Sequence, residues 1–100
     1  MTLEQLLPPE VRKSLPPLNS TLGDKELVAQ VKFFYPDAGW TWYGAEFDGH
    51  DLFFGLVDGF VKELGSFRLS ELMKSRGRLG LEIERDFFFQ PTPVKELMAD

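Results

Sequence analysis

Three carboxylates alternate along a short stretch of the sequence, at Glu82, Glu84 and Asp86. Side chains two residues apart share one face of a β-strand, so a strand here would align all three. Aligned carboxylates could bind a divalent cation, or they could hydrolyse a glycosidic bond, for which two acids stand about 5 to 10 Å apart. The simpler interpretation, which we favour, is a solvated strand face neutralised by lysine or arginine on a neighbouring strand.

Arg85 lies among these acids and would face the other side of the same strand, together with Ile83 and Phe87. If that side is buried, the guanidinium needs a carboxylate partner, because an unpaired buried charge is strongly destabilising. We therefore predict a structural ion pair for Arg85, with a direct role in binding as the alternative.

His50 is the only histidine, and Asp48 and Asp51 lie close to it in the sequence. One imidazole and two carboxylates could begin a metal site or an acid–base pair. A metal site, however, also needs ligands from a second element and an oriented outer shell. We predict an exposed turn at His50, and we expect neither a metal nor another cofactor.

Several other chemistries lack the residues that they require. The absence of cysteine excludes disulfides, thiolate zinc sites and cysteine nucleophiles. No nucleophile stands beside a base, and neither a phosphate-binding loop GxxxxGK[ST] nor a dinucleotide-binding fingerprint is present. We therefore expect a protein that is not an enzyme and has no catalytic residues.

Acidic residues dominate the middle of the chain, and the formal net charge is −5. Between Phe33 and Val61 all formally charged side chains are acidic: Asp37, Glu46, Asp48, Asp51 and Asp58. A later segment is locally basic: Arg68, Lys74, Arg76 and Arg78 oppose only Glu71. Nucleic-acid-binding domains usually carry a strongly basic surface, so the overall charge argues against nucleic acid as the default partner.

The length and composition are those of one compact domain over residues 1–100, with 43% hydrophobic and 27% charged residues. No apolar run approaches the roughly 20 residues needed to cross a bilayer. Glu4 stands where a signal peptide would carry positive charge. We therefore expect a cytoplasmic protein that does not bind membranes.

The aromatic segment KFFYPDAGWTWY, residues 32–43, predicts a β-hairpin around the turn Pro36-Asp37-Ala38-Gly39. A four-residue loop pairs Phe33 with Trp42, and opposed residues point to the same face. The face expected in the core carries Val31, Phe33, Tyr35, Trp40 and Trp42. The opposite face carries Lys32, Phe34, Thr41 and Tyr43, and the rings of Phe34 and Tyr43 are the ones that could contact a partner.

The remaining elements follow from proline, glycine and capping signals. They are a helix from near Pro9 to Ser14, a loop from Asn19 to Asp24, strands over Val28–Tyr35 and Leu52–Val57, a two-residue turn at Asp58-Gly59, a strand over Phe60–Leu64, a helix capped by Ser70, a strand over Leu81–Phe89 and a helix from Val94 to about Met98. Together they predict an α+β fold with a single antiparallel β-sheet, a meander of four or five strands, and about three short helices.

Five segments, LLPPEVR, KFFYPDAGWTWY, FFGLVDGF, LGSFRLSEL and RGRLGLEIERDFFFQPTP, together resemble an uncharacterised bacterial family of small acidic proteins. This family is a domain of unknown function met chiefly on plasmids and other mobile elements. The resemblance covers nearly the whole chain, and its most specific parts are KFF-PD-WTWY and IERD. It implies a bacterial cytosolic protein, often encoded near antirestriction or DNA-handling genes, and the family has no established activity or catalytic residues to transfer to this chain.

Three functions remain open. The first is a non-catalytic module whose acidic surface attracts a basic, nucleic-acid-handling protein, with partner-binding candidates Phe34, Tyr43, Asp37, Glu46, Asp48 and Asp51. The second is a single-strand nucleic-acid binder that uses the sheet aromatics with Lys32, Arg76 and Arg78. The third is a carboxylate-dependent hydrolase. If the basic segment and the exposed rings lie on opposite sides of the fold, the arrangement favours the first.

Overall fold

A five-stranded antiparallel β-sheet forms the centre of the computed structural model, which describes residues 1–21 and 26–99. The strands in chain order are β1 (Val28–Ala29), β2 (Val31–Phe34), β3 (Thr41–Phe47), β4 (Leu52–Asp58), β5 (Lys62–Arg68), β6 (Glu84–Arg85) and β7 (Thr92–Pro93). The helices are α1 (Leu3–Leu6), α2 (Pro9–Ser14), α3 (Leu69–Lys74) and α4 (Val94–Met98). In the described ranges, no helix has the length and apolar character needed to cross a membrane.

The central sheet has the strand order β5-β4-β3-β2-β6, and β1 and β7 pair separately as a small second sheet. The α+β class and the meander from β2 to β5 are therefore confirmed, whereas the prediction of a single sheet is not exact. The predicted strand from Val28 to Tyr35 is divided at Gln30, whose N–H donates to the carbonyl of Gly44. On the N-terminal side of Gln30, β1 pairs with β7 instead of β3.

The aromatic hairpin has the predicted register, with Phe33 opposite Trp42 and Val31 opposite Gly44. Phe33 is fully buried and contacts Phe53 and Phe67 edge-on, with ring centroids 5.7 and 6.5 Å apart. Trp42, which was also expected in the core, packs against it but is only half-buried. The hairpin thus supplies the centre of the core through Phe33.

Both faces of the sheet are covered, which explains why aromatic residues point to both sides. On the first face, defined by Val31, Phe33 and Tyr35, the main core includes buried side chains from α1, from the segment after α2 and from α3: Leu6, Leu15, Leu69 and Leu72. On the second face, α4 and β1 contribute to a smaller cluster: Ala29, Ala45, Leu56 and Val94, with Tyr43 and Phe89 packed against it.

A β-bulge in β3, between Gly44 and Glu46, changes which side chains face the main core. Because a bulge inserts one extra residue, the alternation of faces shifts by one beyond it. Phe47 therefore lies in the main core, where it stacks on Phe53 at 4.5 Å, and Glu46 points to the second face.

The helix predictions for α2, α3 and α4 are confirmed apart from the cap of α3, whereas α1 was not predicted. The helix α1 begins at a capping box, in which Thr2 and Gln5 exchange backbone and side-chain hydrogen bonds. The predicted loop from Asn19 to Asp24 is described as far as Thr21, and its remainder lies outside the described residues.

The connection between β4 and β5 differs from the prediction. Asp58 pairs with Lys62, so the loop has three residues, Gly59 to Val61, instead of a two-residue turn at Asp58-Gly59. A Cβ atom at Gly59 would overlap the indole of Trp40, so this glycine permits ring packing. Phe60 is consequently in the loop and not in the predicted return strand.

The predicted cap of α3 is also wrong, because β5 runs directly into α3 and the N-cap is Arg68. Ser70 lies inside the helix. The cap hydrogen bonds come from another element: Asp51 accepts from the backbone N–H of Ser70 at 2.8 Å and from its hydroxyl at 2.5 Å. The turn before β4 therefore fixes the start of α3.

The predicted strand from Leu81 to Phe89 contains only the two residues of β6, which pair with Phe33 and Phe34 of β2. Asp86 ends it, because its carboxylate accepts from the N–H of Phe88 at 2.9 Å and turns the chain away from the sheet. The alternation of charged and apolar residues from Leu81 to Phe89 therefore does not correspond to one long strand.

Candidate functional site

The four acidic residues predicted to bind a partner all accept hydrogen bonds from the backbone. Asp48 accepts three, from the N–H groups of His50, Asp51 and Leu52 at 2.8, 2.8 and 3.1 Å. The bonds from Asp51 and then from His50 lower the pKa of Asp48, because they stabilise the charged carboxylate. His50 itself is exposed in this turn, as the sequence indicates.

Asp37 connects the aromatic hairpin to the segment after α3. Its Oδ2 atom accepts from the N–H of Leu79 at 2.5 Å and from that of Leu81 at 3.3 Å. Its Oδ1 atom lies against Gly77, where a Cβ atom would overlap it, and has no hydrogen-bond partner within the part of the chain that the structure describes. Asp37 thus holds two loops together at one end of the sheet.

Glu46 is buried, with 3% of its surface exposed. Its carboxylate accepts from the backbone N–H groups of Asn19 and Thr21 at 2.9 and 3.0 Å, and from the Thr21 hydroxyl. Glu46 and Asp51 thus hold loops in place through hydrogen bonds. Their negative charges still contribute to the acidic character of the protein. Of the four, only Asp48 is exposed, and a role of the set in partner binding stays a prediction.

Phe34 lines an open groove of about 300 Å³ beside the hairpin turn. The residues that line this hairpin groove are Lys32, Phe34, Tyr35, Pro36, Ala38, Gly39, Thr41 and Asp86. The Lys32 ammonium lies 3.7 Å from the Asp86 carboxylate, so the groove contains one cation and one anion. Its charge is therefore balanced, which reduces its attraction for phosphate.

Tyr43 is half-buried on the second face, where its ring packs against Phe89 at 5.7 Å. Lys32 lies 5.9 Å from the centre of the same ring. The Tyr43 ring therefore contributes to packing beneath the loop that follows β6, and less of it is available to a partner than the sequence suggests.

The basic segment begins on the other face of the sheet. The hydroxyl of buried Tyr35 donates to the carbonyl of Leu72 in α3 at 2.7 Å, and burial raises the pKa of Tyr35. Arg76, just beyond α3, donates to the carbonyls of Met73 and Ser75 at 2.9 Å. Phe34 and Lys32, in contrast, point to the second face. The basic segment nevertheless reaches the hairpin turn, because Gly77 and Leu79 adjoin Asp37.

The three alternating carboxylates do not lie along one strand, because only Glu84 belongs to β6. Glu82 lies 3.8 Å from Arg76, and Asp86 is paired with Lys32. Among residues 1–21 and 26–99, no group of three or more histidine, cysteine, aspartate or glutamate side chains is placed to hold a metal ion.

The predicted ion pair of Arg85 is wrong for the described residues. Its Nε–H donates to the carbonyl of Gln5 in α1 at 2.8 Å, and its guanidinium lies 4.7 Å from the centre of the Phe87 ring. Because Arg85 is half-buried rather than buried, water can hydrate the guanidinium and no carboxylate is required. Arg85 thereby joins β6 to α1.

An exposed aromatic surface that the sequence did not predict lies at the loop between β4 and β5. Phe60 is 94% exposed and Val61 is 65% exposed, and the Phe60 ring stands edge-on to Trp40 at 5.4 Å. Trp40 in turn stacks on Trp42 at 5.9 Å. We call Trp40, Phe60 and Val61 the aromatic tip. The available signal was the apolar pair directly after Asp58-Gly59, which was predicted to begin a strand.

The family model described as "Protein of unknown function (DUF2958)" matches residues 6–97. No curated protein and no solved structure gives a match to this chain.

Proposed function

This chain belongs to the DUF2958 family, and we propose that it is a non-catalytic module that binds a basic, nucleic-acid-handling protein. Its resemblance to bacterial proteins of mobile elements supports a more specific proposal, that of a cytoplasmic accessory or anti-defence protein. The module would act by occupying a surface of its partner, without a cofactor.

The observation that carries this proposal is the aromatic tip. Phe60 is almost entirely exposed, yet its ring is supported by Trp40 in a row of aromatic side chains that begins at the core. Aromatic anchors supply much of the affinity of protein interfaces. Val61 extends the same apolar surface. These properties are those of an anchor for a protein partner.

The charge of the module supports a basic partner. The net charge of −5 attracts a cationic surface over distances set by the ionic strength, with a screening length of about 10 Å at 0.1 M salt. The hydrogen-bonded carboxylates contribute to this field because hydrogen bonds do not neutralise them. We therefore expect the association rate to fall as salt concentration rises.

The experiment that tests the proposal is affinity capture from a bacterial host with three baits: the wild-type protein, Phe60→Ala and Phe88→Ala. Phe88 is the matched control, because it is an exposed phenylalanine outside the aromatic tip. We expect a protein that the wild type and Phe88→Ala retain and that Phe60→Ala loses. Recovery of the same proteins with all three baits would contradict the proposal.

A second candidate function, binding of single-stranded nucleic acid, is favoured by one observation. Phe34 and Lys32 line the same open groove, and stacking of bases on exposed rings beside a cation is a common mode of single-strand binding. The pairing of Lys32 with Asp86 and the acidic net charge oppose this mode, so we place it second.

A further inference from the structure

A cavity of about 260 Å³ on the second face of the sheet contains the buried carboxylate of Glu46. Its lining residues are Asn19, Thr21, Leu27, Glu46, Phe54 and Leu64. Three of these side chains, Leu27, Phe54 and Leu64, are apolar. The cavity therefore combines apolar walls with a single negative charge.

The charge of Glu46 is hydrogen-bonded but has no ion-pair partner in the described ranges, where the ion pairs involve other residues. A carboxylate offers about four lone-pair positions, and Asn19 and Thr21 occupy three of them. One position is left for a further donor. A cation that entered the cavity would gain a favourable interaction with this buried negative charge.

We propose that the cavity receives one lysine side chain of the partner protein, with the ammonium on Glu46 and the methylene stem against Leu27, Phe54 and Leu64. This inference rests on the proposed function, because it requires a basic protein partner. It adds a second contact that is separate from the aromatic tip.

The number of free acceptor positions on the Glu46 carboxylate favours lysine over arginine. A guanidinium binds a carboxylate best through two parallel N–H bonds, which need both oxygen atoms, whereas Glu46 has one position left. An ammonium is a point charge that can donate a single hydrogen bond, and its stem packs on apolar surface. The hairpin groove is a poorer site for either cation, because it already contains the Lys32–Asp86 pair.

The test uses n-butylammonium as a probe for the lysine side chain, titrated into the protein alone and followed by the amide NMR signals of Asn19 and Thr21. We expect weak, saturable shifts, and binding of n-butanol, which has the same chain length without the charge, at least about tenfold weaker, as the loss of a charged hydrogen bond implies. Equal binding of the two probes, or no saturable shift, would overturn the proposal.

Two variants and a control assign the probe to the cavity. Glu46→Gln removes the charge, and Leu64→Trp puts a larger side chain at the rim of the cavity, at a residue that makes none of the hydrogen bonds of Glu46. Each should weaken probe binding at least about tenfold. The control is Glu63→Gln, which removes an exposed charge beside Leu64 in β5 and should leave probe binding unchanged. If Glu46→Gln does not fold, Leu64→Trp alone decides, and undiminished binding in that variant overturns the proposal.

A competition experiment distinguishes failure of this inference from failure of the proposed function. Saturating n-butylammonium should weaken binding of the captured partner at least about tenfold, because the probe occupies the place of the lysine. If the partner binds equally well with the probe present, while Phe60→Ala still abolishes capture, the lysine assignment fails and the proposed function stands. If no partner is captured, the proposed function fails, whatever the probe does.

Discussion

The ring of Phe60 stands edge-on to the indole of Trp40, with centroids 5.4 Å apart, at a position where Phe60 is almost completely exposed to solvent. Burial therefore does not account for the presence of phenylalanine at this position. Gly59 is required by the same arrangement, because any side chain there would overlap Trp40. The loop between β4 and β5 thus presents an exposed aromatic ring beside the indole of Trp40.

The core prediction concerns Phe33, which is fully buried at the centre of the main core. Phe33→Ala should lower the free energy of unfolding by about 3 to 5 kcal/mol, because it removes a large ring and leaves a cavity. The measurement is urea-induced unfolding. Phe88→Ala, at an exposed position, is the control and should change stability by less than about 0.5 kcal/mol. A small effect of Phe33→Ala would mean that the hairpin does not form the core.

The contact between Asp37 and Gly77 gives a second prediction. Gly77→Ala should destabilise the protein by about 1 to 3 kcal/mol, since the added methyl group overlaps the Asp37 carboxylate. Gly39→Ala is the matched control, because a Cβ atom there meets no atom within 4 Å.

The double variant Asp37→Ala/Gly77→Ala tests the cause of that effect. Because the methyl group overlaps the carboxylate itself, its cost should be smaller once Asp37 is alanine, and the two effects should not add. Strict additivity in the unfolding measurements would show that Gly77 does not act through Asp37.

The pH dependence of stability should reveal the hydrogen bonds of Asp48. Its pKa is lowered in the folded state, so these bonds stabilise the fold above the ordinary pKa of aspartate, about 3.9, and this contribution is lost as the pH falls through the lowered value. Asp48→Ala should therefore be less stable than the wild type at pH 7, and the difference should shrink as the pH falls below the ordinary pKa of aspartate. An NMR titration of the Asp48 carboxyl at or above its ordinary pKa would contradict this account.

The sequence predicted the aromatic hairpin and its register, because alternating apolar residues around a four-residue turn permit few alternatives. The connection from β4 to β5 was missed because Asp58-Gly59 is typical of a two-residue turn, whereas Gly59 serves the packing of Trp40. The last strand was predicted too long, because its alternation suggests nine residues and the turn at Asp86 leaves only two. Local patterns do not contain these tertiary contacts.

The candidate site was less predictable than the fold. Acidic residues in the middle of the chain indicated a charged surface, but which carboxylates are buried depends on the bulge in β3, and that bulge has no clear local signal. Glu46 therefore lies in a cavity instead of on the surface. The aromatic tip was missed for the same reason as the β4–β5 loop, since Phe60 was assigned to a strand.

Direct binding to nucleic acid provides a further test. We expect no saturable change in the fluorescence anisotropy of a single-stranded oligonucleotide at about 0.15 M salt, where phosphate contacts are already weakened. The net charge of −5 opposes phosphate, and Lys32 is paired with Asp86. Saturable binding that disappears in Lys32→Glu and in Arg78→Glu would instead support the hairpin groove as a nucleic-acid site.

The most direct measurement of the central claim is the dissociation constant of the captured partner for the wild type, Phe60→Ala and Phe88→Ala. If Phe60 is the anchor of the interface, its truncation should cost at least about 2 kcal/mol, which is roughly a thirtyfold weaker complex. Phe88→Ala should bind as the wild type does. Equal dissociation constants for Phe60→Ala and the wild type would show that the aromatic tip is not the binding surface.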